Sequence, residues 1–409
     1  MTDERIVIVG GGLSGLRTAE RLRRLGHTGP VTLVSGEAHP PYDRPPLSKS
    51  LLTEDEPAGP KPLRDPGRYP ELGLDLRLSR HAVALDTGRR ELTLDGGETL
   101  PFGRLVIATG ARARTITAFT RHANVHTLRT WEDCLRLRAA LGSASHVTVI
   151  GGGVLGCEIT ASARARGVEV DLLEGLDQPL ARVLGGAVGA SVAALHRSRG
   201  VTVRCSAGVT AVRGDGRADT VVLADGTAIP TDLVVLAVGS VPNTEWLEGS
   251  GLALDDGVLC DRTGATSAEG VFAAGDVARM PHPDGRGTIR LEHWTGAGDT
   301  AALVAANLLA APRDRRPLTE VPYFWSDQYG SRIQCLGVPG AGAEPVTAEG
   351  SLESGRFLVL YAEDGRVTGA AAMDMPAALA RCRTAVGDRR PLSAVLDEAP
   401  WERRAPARA

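Results

Sequence analysis

Two glycine-rich segments have a spacing that lets the backbone approach a negatively charged ligand. Both follow the pattern Gly-x-Gly-x-x-Gly, at Gly10, Gly12 and Gly15 and again at Gly151, Gly153 and Gly156. In this pattern the first glycine permits a tight turn, the second lets the backbone approach a pyrophosphate, and the third lets a helix pack on a strand. The N-terminus of that helix then faces the anion. The chemistry indicated is the binding of two dinucleotides.

Each glycine segment is followed by an acidic residue, Glu37 or Glu174, near the end of the next apolar run. A carboxylate at this place accepts hydrogen bonds from both hydroxyls of an adenosine ribose and repels a 2′-phosphate. Residues 175–181 contain no arginine, so the second site is predicted to prefer NADH over NADPH. The alternative is that both carboxylates are solvated charges at strand ends.

The elements that must position these residues occur twice along the chain. Apolar runs at 5–9 and 31–34 enclose the first glycine segment and a helical pattern that extends to about Leu25. The runs at 146–150 and 168–173 enclose the second, with a helix to about Arg166, and Gly151 follows Gly10 by 141 residues. In both copies an Asp-Gly hairpin and a further buried strand come later. The duplication predicts two related α/β domains with parallel sheets.

Composition limits the remaining possibilities. A length of 409 residues suggests two or three domains, and 43% hydrophobic with 23% charged residues is typical of a folded protein. The net charge of −3 gives no general attraction to nucleic acid. No apolar run reaches the length of a membrane span, and the charged residues before the first strand lead us to expect no signal peptide. The cysteines are scattered, which suggests a reducing, cytoplasmic location: Cys134, Cys157, Cys205, Cys260, Cys335 and Cys382.

Several further motifs give the chain a specific resemblance. They are Pro41-Tyr-Asp-Arg-Pro-Pro-Leu-Ser-Lys49, Ala108-Thr-Gly110, Gly275-Asp276, Glu292-His-Trp294 and Pro322-Tyr-Phe-Trp-Ser-Asp-Gln-Tyr329. With these motifs in order, the chain resembles the FAD-dependent, NADH-oxidising ferredoxin reductases that serve bacterial oxygenases. The resemblance implies two Rossmann-like domains of the glutathione-reductase type and a small C-terminal α+β domain. The boundaries predicted are 1–115 with 243–318 for FAD, 116–242 for NAD(H), and 319–409 for the C-terminal domain.

The same resemblance assigns residues to the two cofactors. It implies that Asp276 holds the flavin ribityl chain, that Trp294 lies along the isoalloxazine ring, and that Val83 lies near the adenosine. The other residues implied for FAD are Gly10, Gly12, Leu13, Ser14, Gly15, Glu37, Arg44, Lys49, Ala108, Thr109, Gly110, Arg129, Glu292 and His293. Those implied for NAD(H) are Gly151, Gly153, Val154, Leu155, Gly156, Glu158, Glu174, Val238 and Gly239.

Lys49 and Glu158 are the residues implied for catalysis. Glu158 lies two residues into the helix after Gly156, and in the family this glutamate pairs with the lysine near flavin N5. The hypothesis is that the ion pair positions the nicotinamide and stabilises the state that accepts the hydride. The alternative is an interdomain salt bridge without a catalytic part.

The implied partner is a small, acidic iron-sulfur ferredoxin, which receives electrons one at a time and feeds a cytochrome P-450 or a ring-hydroxylating dioxygenase. A basic rim near the flavin would steer such a partner. The candidates are Arg290, Lys61, Arg64 and Arg332, which as an alternative are ordinary surface charges. Trp325 is placed between flavin and partner, although core packing explains it equally well.

Two other functions are considered. An NADH oxidase or peroxidase would need a redox cysteine or an oxygen-accessible flavin, and residues 42–52 contain no cysteine. Cys157, single and on the nicotinamide helix, is interpreted as a packing residue. A redox-dependent regulatory flavoprotein, similar to apoptosis-inducing factors, would need large basic patches or a targeting segment. Nucleic acid, membrane and metal are therefore not among the predicted partners.

Overall fold

The structure is a computed structural model and describes residues 4–54, 57–282, 285, 287–339 and 343–402. The chain divides into two units. The first unit contains Met1–Arg44, Ala58–Arg112 and Ser240–Glu320. The second contains Pro45–Pro57, Ala113–Gly239 and Val321–Ala409. The chain thus enters the second unit three times.

The first unit is built on a parallel sheet of five strands. In spatial order they are Val271–Ala273, Arg104–Ile107, Ile6–Val9, Val31–Val34 and Leu74–Arg77. The apolar run Ile6–Val9 is buried on both faces, because Ile6 and Ile8 belong to one core cluster and Val7 and Val9 to another. Continuous apolar strands of this kind are typical of parallel sheets covered on both sides.

Helices and antiparallel strands cover this sheet. The helices Leu13–Arg24 and Trp294–Leu309 pack together on one face, with Val304 and Leu308 in the same core cluster as Ile6 and Ile8. The predicted hairpin is part of an antiparallel sheet of Ala82–Asp86, Glu91–Leu94 and Thr99–Pro101. A smaller sheet contains Val258–Leu259, Ala278–Pro281 and Thr288–Ile289. Short 3₁₀ turns lie at Pro66–Arg68, Pro70–Leu72, Asp95–Gly97, Glu245–Leu247, Gly275–Val277 and Pro312–Asp314.

The second unit repeats this architecture. Its parallel sheet has the spatial order Thr202–Arg204, Glu169–Leu173, His146–Ile150, Leu233–Leu236 and Val125–His126. The second predicted hairpin is part of the antiparallel sheet Val209–Arg213, Thr220–Leu223 and Ala228–Pro230. The helices of this part are Ser50–Thr53, Thr117–Thr120, Trp131–Leu141, Val154–Ala165 and Ala181–Ser198, with a 3₁₀ turn at Pro45–Ser48.

The C-terminal segment forms a separate antiparallel sheet within the second unit. Its strands lie in the order Tyr323–Gln328, Ser331–Gly337, Arg366–Met373, Arg356–Glu363 and Val346–Ser351. Three helices, Pro376–Arg381, Arg383–Gly387 and Leu392–Glu398, and the 3₁₀ turn Pro400–Glu402 follow. A core cluster that includes Leu358, Leu379 and Trp401 joins helices to sheet. The division into three domains stays a prediction, since this segment has its own core but groups with residues 113–239.

Two short strands, Ala111–Ala113 and Ser240–Pro242, lie where the chain passes from one unit to the other. Among the described residues, no helix is both long enough and apolar enough to cross a lipid bilayer.

Candidate functional site

The first glycine turn connects the strand Ile6–Val9 to the helix Leu13–Arg24. Gly10 has φ +126, and a Cβ on it would lie 2.0 Å from the Ala108 carbonyl oxygen. A Cβ on Gly15 would lie 1.9 Å from the Gly10 carbonyl oxygen, so helix and turn are in direct contact. A Cβ on Gly12 would meet no described atom within 4 Å. Gly12 therefore faces a space in which a phosphate can approach the backbone.

The second glycine turn has the same geometry. Gly151 has φ +107, and its Cβ would lie 2.3 Å from the Ala237 carbonyl oxygen, while a Cβ on Gly156 would lie 1.8 Å from the Gly151 oxygen. Gly153 again faces open space among the described residues. No described side chain caps the helix Val154–Ala165, nor the helix after Gly12, so neither N-terminus is blocked for an anion. Both turns fit a dinucleotide.

Different side chains lie beside the glycine at the x position between the first two glycines of the pattern, which is Gly11 in the first turn and Gly152 in the second. The Glu174 carboxylate accepts hydrogen bonds from the backbone N–H of Gly152 at 2.7 Å and of Leu176 at 2.8 Å. In the first turn Ser35 has the corresponding place: a Cβ on Gly11 would lie 2.4 Å from its Oγ. The Ser35 Oγ accepts from the N–H two residues further on, that of Glu37, at 3.3 Å. By geometry, Glu174 thus corresponds to Ser35 and not to Glu37.

Glu37 is held by side chains of the motif that follows it. Its carboxylate accepts from the Tyr42 hydroxyl and from Arg44 Nη2, each at 2.5 Å. Arg44 also lies over the Tyr42 ring, with Cζ 5.1 Å from the centroid. Burial lowers the pKa of Arg44, but Tyr42 and Glu37 outweigh it and raise that pKa overall. The Glu37 charge is thereby compensated within the first unit.

The 3₁₀ turn Gly275–Val277 packs against the helix Leu13–Arg24 of the first unit. Gly275 has φ +74, and a Cβ on it would lie 2.3 Å from Ser14 Oγ, which donates to the Ala297 carbonyl at 2.9 Å. Asp276 follows directly in this turn and is partly buried. The contact brings two residues implied for FAD, Ser14 and Asp276, to the same end of the parallel sheet.

The segment before the helix Trp294–Leu309 carries the Glu-His-Trp motif. Trp294 is 37% exposed, and its indole N–H donates to Asp43 Oδ1 at 2.7 Å. Burial lowers the pKa of His293, although the carboxylates of Asp276 and Glu292 oppose this. The Glu292 carboxylate accepts from Ser240 and Arg290.

The remaining residues implied for the cofactors lie in both units. Thr109 and Asn243 exchange two hydrogen bonds of 2.9 Å, which fixes the loop that ends in Gly110. Val83 is an exposed strand residue of the first unit. Arg129 precedes the helix Trp131–Leu141 in the second unit. Residues at the two sheet ends complete the set: Leu13 and Ala108 in the first unit, and Val154, Leu155, Val238 and Gly239 in the second.

Lys49 and Glu158 form an ion pair within the second unit. Lys49 Nζ lies 2.8 Å from Glu158 Oε2 and also donates to the Pro45 carbonyl at 3.2 Å. The Glu158 side chain is only 5% exposed. Two hydroxyls donate to the same carboxylate, Ser48 to Oε2 at 2.5 Å and Ser326 to Oε1 at 2.9 Å. A buried carboxylate needs such partners, because an unpaired buried charge is strongly destabilising.

Local sequence explains this placement. Prolines at 45 and 46 begin the 3₁₀ turn Pro45–Ser48, and Lys49 follows it as the N-cap of Ser50–Thr53. Ser162 Oγ donates to the Ser48 carbonyl at 2.6 Å, which ties this segment to the helix that carries Glu158. Both residues belong to one compact unit of the structure, whereas the predicted boundaries place Lys49 in the FAD domain and Glu158 in the NAD(H) domain. The catalytic pair and the salt bridge without a catalytic part both stay predictions.

Comparison with known proteins agrees with this geometry. The family described as pyridine nucleotide-disulphide oxidoreductase matches residues 4–301, and a reductase C-terminal family matches residues 323–399. The chain belongs to the pyridine nucleotide-disulphide oxidoreductase family. It is 36% identical over 393 residues to the biphenyl dioxygenase system ferredoxin–NAD(+) reductase component of Paraburkholderia xenovorans, which covers 96% of this chain and 95% of that protein.

Solved structures of ferredoxin reductases have the same fold. The covalent putidaredoxin reductase–putidaredoxin complex matches with a TM-score of 0.89 and 31% identity over 98% of both chains. The ferredoxin reductase for the CYP199A2 system of Rhodopseudomonas palustris matches with a TM-score of 0.89 and 31% identity, over 97% of this chain and 99% of that one. These matches confirm the predicted resemblance, the fold class, and FAD and NADH as cofactors.

The cysteines of this chain are not suited to thiol–disulfide exchange. All six cysteines are free, and five of them are buried. Burial raises the pKa of Cys157 and of Cys335, and it raises the pKa of Cys134 to about 11. Cys157 Sγ donates to the Gly152 carbonyl at 3.4 Å, consistent with a packing residue in the second turn. Since the thiolate is the reactive form, these thiols are poor nucleophiles.

The residues expected to dock a partner differ in accessibility. Lys61 is exposed, and Arg332 is 55% exposed beside Asp327 at 2.6 Å. Arg64 is bound to Glu20 at 3.3 Å and to Glu71 at 3.0 Å.

Arg290 and Trp325 have specific partners. The Arg290 side chain is only 9% exposed and donates to the Asp276 carbonyl at 3.1 Å, which differs from the accessible cation that we expected. The half-buried Trp325 donates to Asp327 Oδ2 at 3.2 Å and is stacked with Tyr323, their centroids 6.1 Å apart.

Sequence reasoning missed the two hydroxyls that hold Glu158. A signal for Ser326 was present, because the strand Tyr323–Gln328 alternates and its buried positions are Phe324, Ser326 and Gln328. Two polar residues on the buried face of a strand predict a buried hydrogen-bond network. Ser48 gave no comparable signal, since it lies in an irregular segment.

Proposed function

We propose that this chain oxidises NADH and, through bound FAD, passes the electrons one at a time to a small iron-sulfur ferredoxin. The observation that carries this proposal is the ion pair between Lys49 and the buried Glu158, which lies on the helix of the second glycine turn, in a chain whose thiols are all free. The names of the relatives point the same way, since one is a ferredoxin–NAD(+) reductase component and one a complex with putidaredoxin. The ferredoxin would serve a ring-hydroxylating dioxygenase or a cytochrome P-450.

FAD supplies the chemistry that connects donor and partner, because a flavin accepts two electrons as hydride and releases them singly. The first turn would hold FAD through Gly12 and its helix N-terminus, with Asp276 on the ribityl chain and Trp294 along the ring. The second turn would hold NADH through Gly153, with Glu174 on the ribose. The open space at Gly12 and at Gly153 supports the roles of the two turns.

The Lys49 ammonium has a defined electrostatic part in this function. A reduced flavin gains negative charge, and a fixed cation favours that state. The ion pair with Glu158 holds the Lys49 Nζ in place at 2.8 Å. Because Ser48 and Ser326 hold the Glu158 carboxylate in turn, the ammonium is fixed and little reorganisation is needed when hydride transfers.

The exposed cations Lys61 and Arg332 would steer the partner. Arg290 would have a structural part instead, because it holds Glu292 and the turn at Asp276 by hydrogen bonds. An acidic ferredoxin is the chemistry that such cations fit. We also propose a cytoplasmic location, in which free thiols such as these persist.

Steady-state NADH consumption in air tests the proposal against an oxidase or peroxidase. The purified yellow protein is expected to consume NADH slowly, and to do so at least about tenfold faster with a ferredoxin from the same genome. Fast consumption in air that ferredoxin does not change would overturn it. NADPH in place of NADH serves as the matched control and is expected to react poorly, because the Glu174 carboxylate repels a 2′-phosphate.

A further inference from the structure

The two oxygens of the Glu158 carboxylate have unequal support. Oε2 accepts from Lys49 Nζ at 2.8 Å and from Ser48 Oγ at 2.5 Å. Among the described residues, Oε1 accepts from one donor, Ser326 Oγ at 2.9 Å. Loss of the Ser326 hydroxyl would therefore leave one oxygen of a buried carboxylate without a protein donor, whereas loss of Ser48 would not.

A hydrogen bond from Gln328 fixes the direction of the Ser326 hydroxyl. Gln328 Nε2 donates to Ser326 Oγ at 3.0 Å. A serine hydroxyl has a single hydrogen, and since its oxygen already accepts from Gln328, that hydrogen is free to donate to Glu158. Ser48 is less strictly directed, because the Pro45 carbonyl at 3.4 Å is a second acceptor for its hydrogen.

The backbone of this strand is held at a fixed register. Ser326 pairs with Ile333 and Gln328 with Ser331 in the antiparallel ladder to the next strand. Ser326 is fully buried, and the Gln328 side chain is nearly so. The strand Tyr323–Gln328 packs on the helix Val154–Ala165, the helix that begins at the second glycine turn and carries Glu158. Ser326 thus connects the C-terminal sheet to the element that positions the ion pair.

Loss of the Ser326 hydroxyl would have a free-energy cost that changes the position of Glu158. A buried acceptor that loses its donor bears the cost of desolvation without compensation. A carboxylate in that state relieves the cost by turning toward another donor, and a turn of Glu158 displaces the Lys49 ammonium bound to its other oxygen.

We propose that Ser326 is a positioning residue for hydride transfer, which holds Glu158, and through it Lys49, with its hydroxyl directed by Gln328. The inference rests on the proposed function only for the catalytic part of the Lys49–Glu158 pair. The positioning itself concerns contacts within the second unit.

Anaerobic stopped-flow reduction of the bound flavin by NADH tests this role. Ser326→Ala is expected to lower the limiting rate about tenfold, the loss of one donor to a buried charged group. The NADH concentration for half the limiting rate should change less than about twofold, because the nucleotide contacts are intact. Ser48→Ala should lower the limiting rate less, about threefold, since Oε2 keeps Lys49.

Ser191→Ala is the matched control, because Ser191 is a buried serine of the same unit whose hydroxyl donates to the Leu352 carbonyl at 2.8 Å. Its limiting rate is expected to equal that of the wild type. If Ser326→Ala fails to fold, Ser326→Cys keeps the size of the side chain and offers only a weak S–H donor, with the same direction of effect. If the folded Ser326 variant has the wild-type limiting rate while Glu158→Gln is slow, the positioning role of Ser326 is wrong. The proposed function is not affected by that result.

A second readout needs neither NADH nor turnover. The infrared band of the Glu158 carboxylate, obtained as the difference between the wild type and Glu158→Gln, is expected to move in Ser326→Ala and to stay in Ser191→Ala. An unmoved band overturns the inference. A moved band together with a wild-type rate in Glu158→Gln keeps the positioning of Glu158 and rejects the proposed catalytic part of the pair. In the Glu158→Gln background, Ser326→Ala should slow reduction no further.

Discussion

The first and second glycine turns have nearly the same backbone but different charges. In both, the first glycine of the Gly-x-Gly-x-x-Gly pattern lies against a neighbouring strand end, and the second faces open space. The third lies in the first turn of the helix, against the carbonyl oxygen of the first. Beside Gly11, however, the first turn has the neutral Ser35, and beside Gly152 the second turn has the carboxylate of Glu174. The acidic residue of the first copy, Glu37, lies two positions further on and is paired with Arg44. The duplicated fold therefore fixes the backbone, while the side chain at one position sets the charge beside the ligand.

The helices after the two turns differ in the same way. By the offset of 141 residues, Glu158 corresponds to Arg17. Arg17 is 37% exposed and pairs with Glu20 on its own helix at 2.7 Å. Glu158 is buried and holds a lysine from another segment. One copy uses this helix position for an ion pair with the buried Glu20 carboxylate of its own helix, and the other for the chemistry that we propose.

The largest expected effect separates these two helix positions. Glu158→Gln should lower the limiting rate of flavin reduction by NADH about a hundredfold, because the Lys49 ammonium loses its anchoring charge. Arg17→Gln, at the corresponding place of the first copy, should leave that rate unchanged. Anaerobic stopped-flow absorbance measures both, and equal rates in the two variants would show that the helices do not differ in function.

Alanine at the glycines sharpens the comparison of the turns. Gly153→Ala is expected to raise the KM for NADH about thirtyfold with little change in Tm, because its Cβ enters the open space that the pyrophosphate needs. Gly12→Ala should instead weaken retention of FAD, measured as flavin lost on dialysis. Gly151→Ala serves as the folding control: its φ of +107 and a contact at 2.3 Å predict a lower Tm. Normal NADH binding in Gly153→Ala would contradict the assignment of the second turn.

The strand-end charge predicts nucleotide choice. Glu174→Gln keeps an oxygen that can accept from Gly152 but removes the charge, so the preference for NADH over NADPH should fall about tenfold in kcat/KM. Glu37→Gln, in the first copy, should leave the preference unchanged. An unaltered preference in Glu174→Gln would mean that another group excludes the 2′-phosphate.

Only the second unit contains, among the described residues, a histidine whose pKa burial lowers to about 4, His196, against an ordinary value of 6.5. Because the folded-state pKa lies below the unfolded one, the stability is present above pH 6.5 and is lost as the pH falls toward 4. His196 should account for a loss of about 1 kcal/mol between pH 6.5 and about pH 5.5. Urea unfolding of His196→Asn over this pH range should show a smaller loss of stability than that of the wild type. Equal pH dependence of stability in the wild type and His196→Asn would refute the assignment.

Much of the fold was predictable because its signals are local. The apolar runs, the glycine spacing and the Asp-Gly hairpins gave the strands, the turns and the helix limits to within a few residues. Lys49 and Glu158 were paired only through the family resemblance, since 109 residues separate them and no local pattern joins them.

Other features were not predictable from spacing. Glu37 and Glu174 were matched because each is the acidic residue near the end of its apolar run. Glu174 directly follows its strand, however, and in the first copy Ser35 directly follows the strand and lies beside Gly11. The near burial of Arg290 depends on Asp256 and Asp276, which lie 34 and 14 residues away in the sequence. Such tertiary contacts leave no periodic trace in the chain.

Anaerobic mixing of the holoprotein with one equivalent of NADH and an excess of oxidised ferredoxin tests the central claim most directly. The absorbance of the iron-sulfur cluster follows the electrons. Our account predicts two equivalents of ferredoxin reduced for each NADH, with the flavin oxidised again at the end. A flavin that NADH reduces but that leaves the ferredoxin oxidised would contradict it.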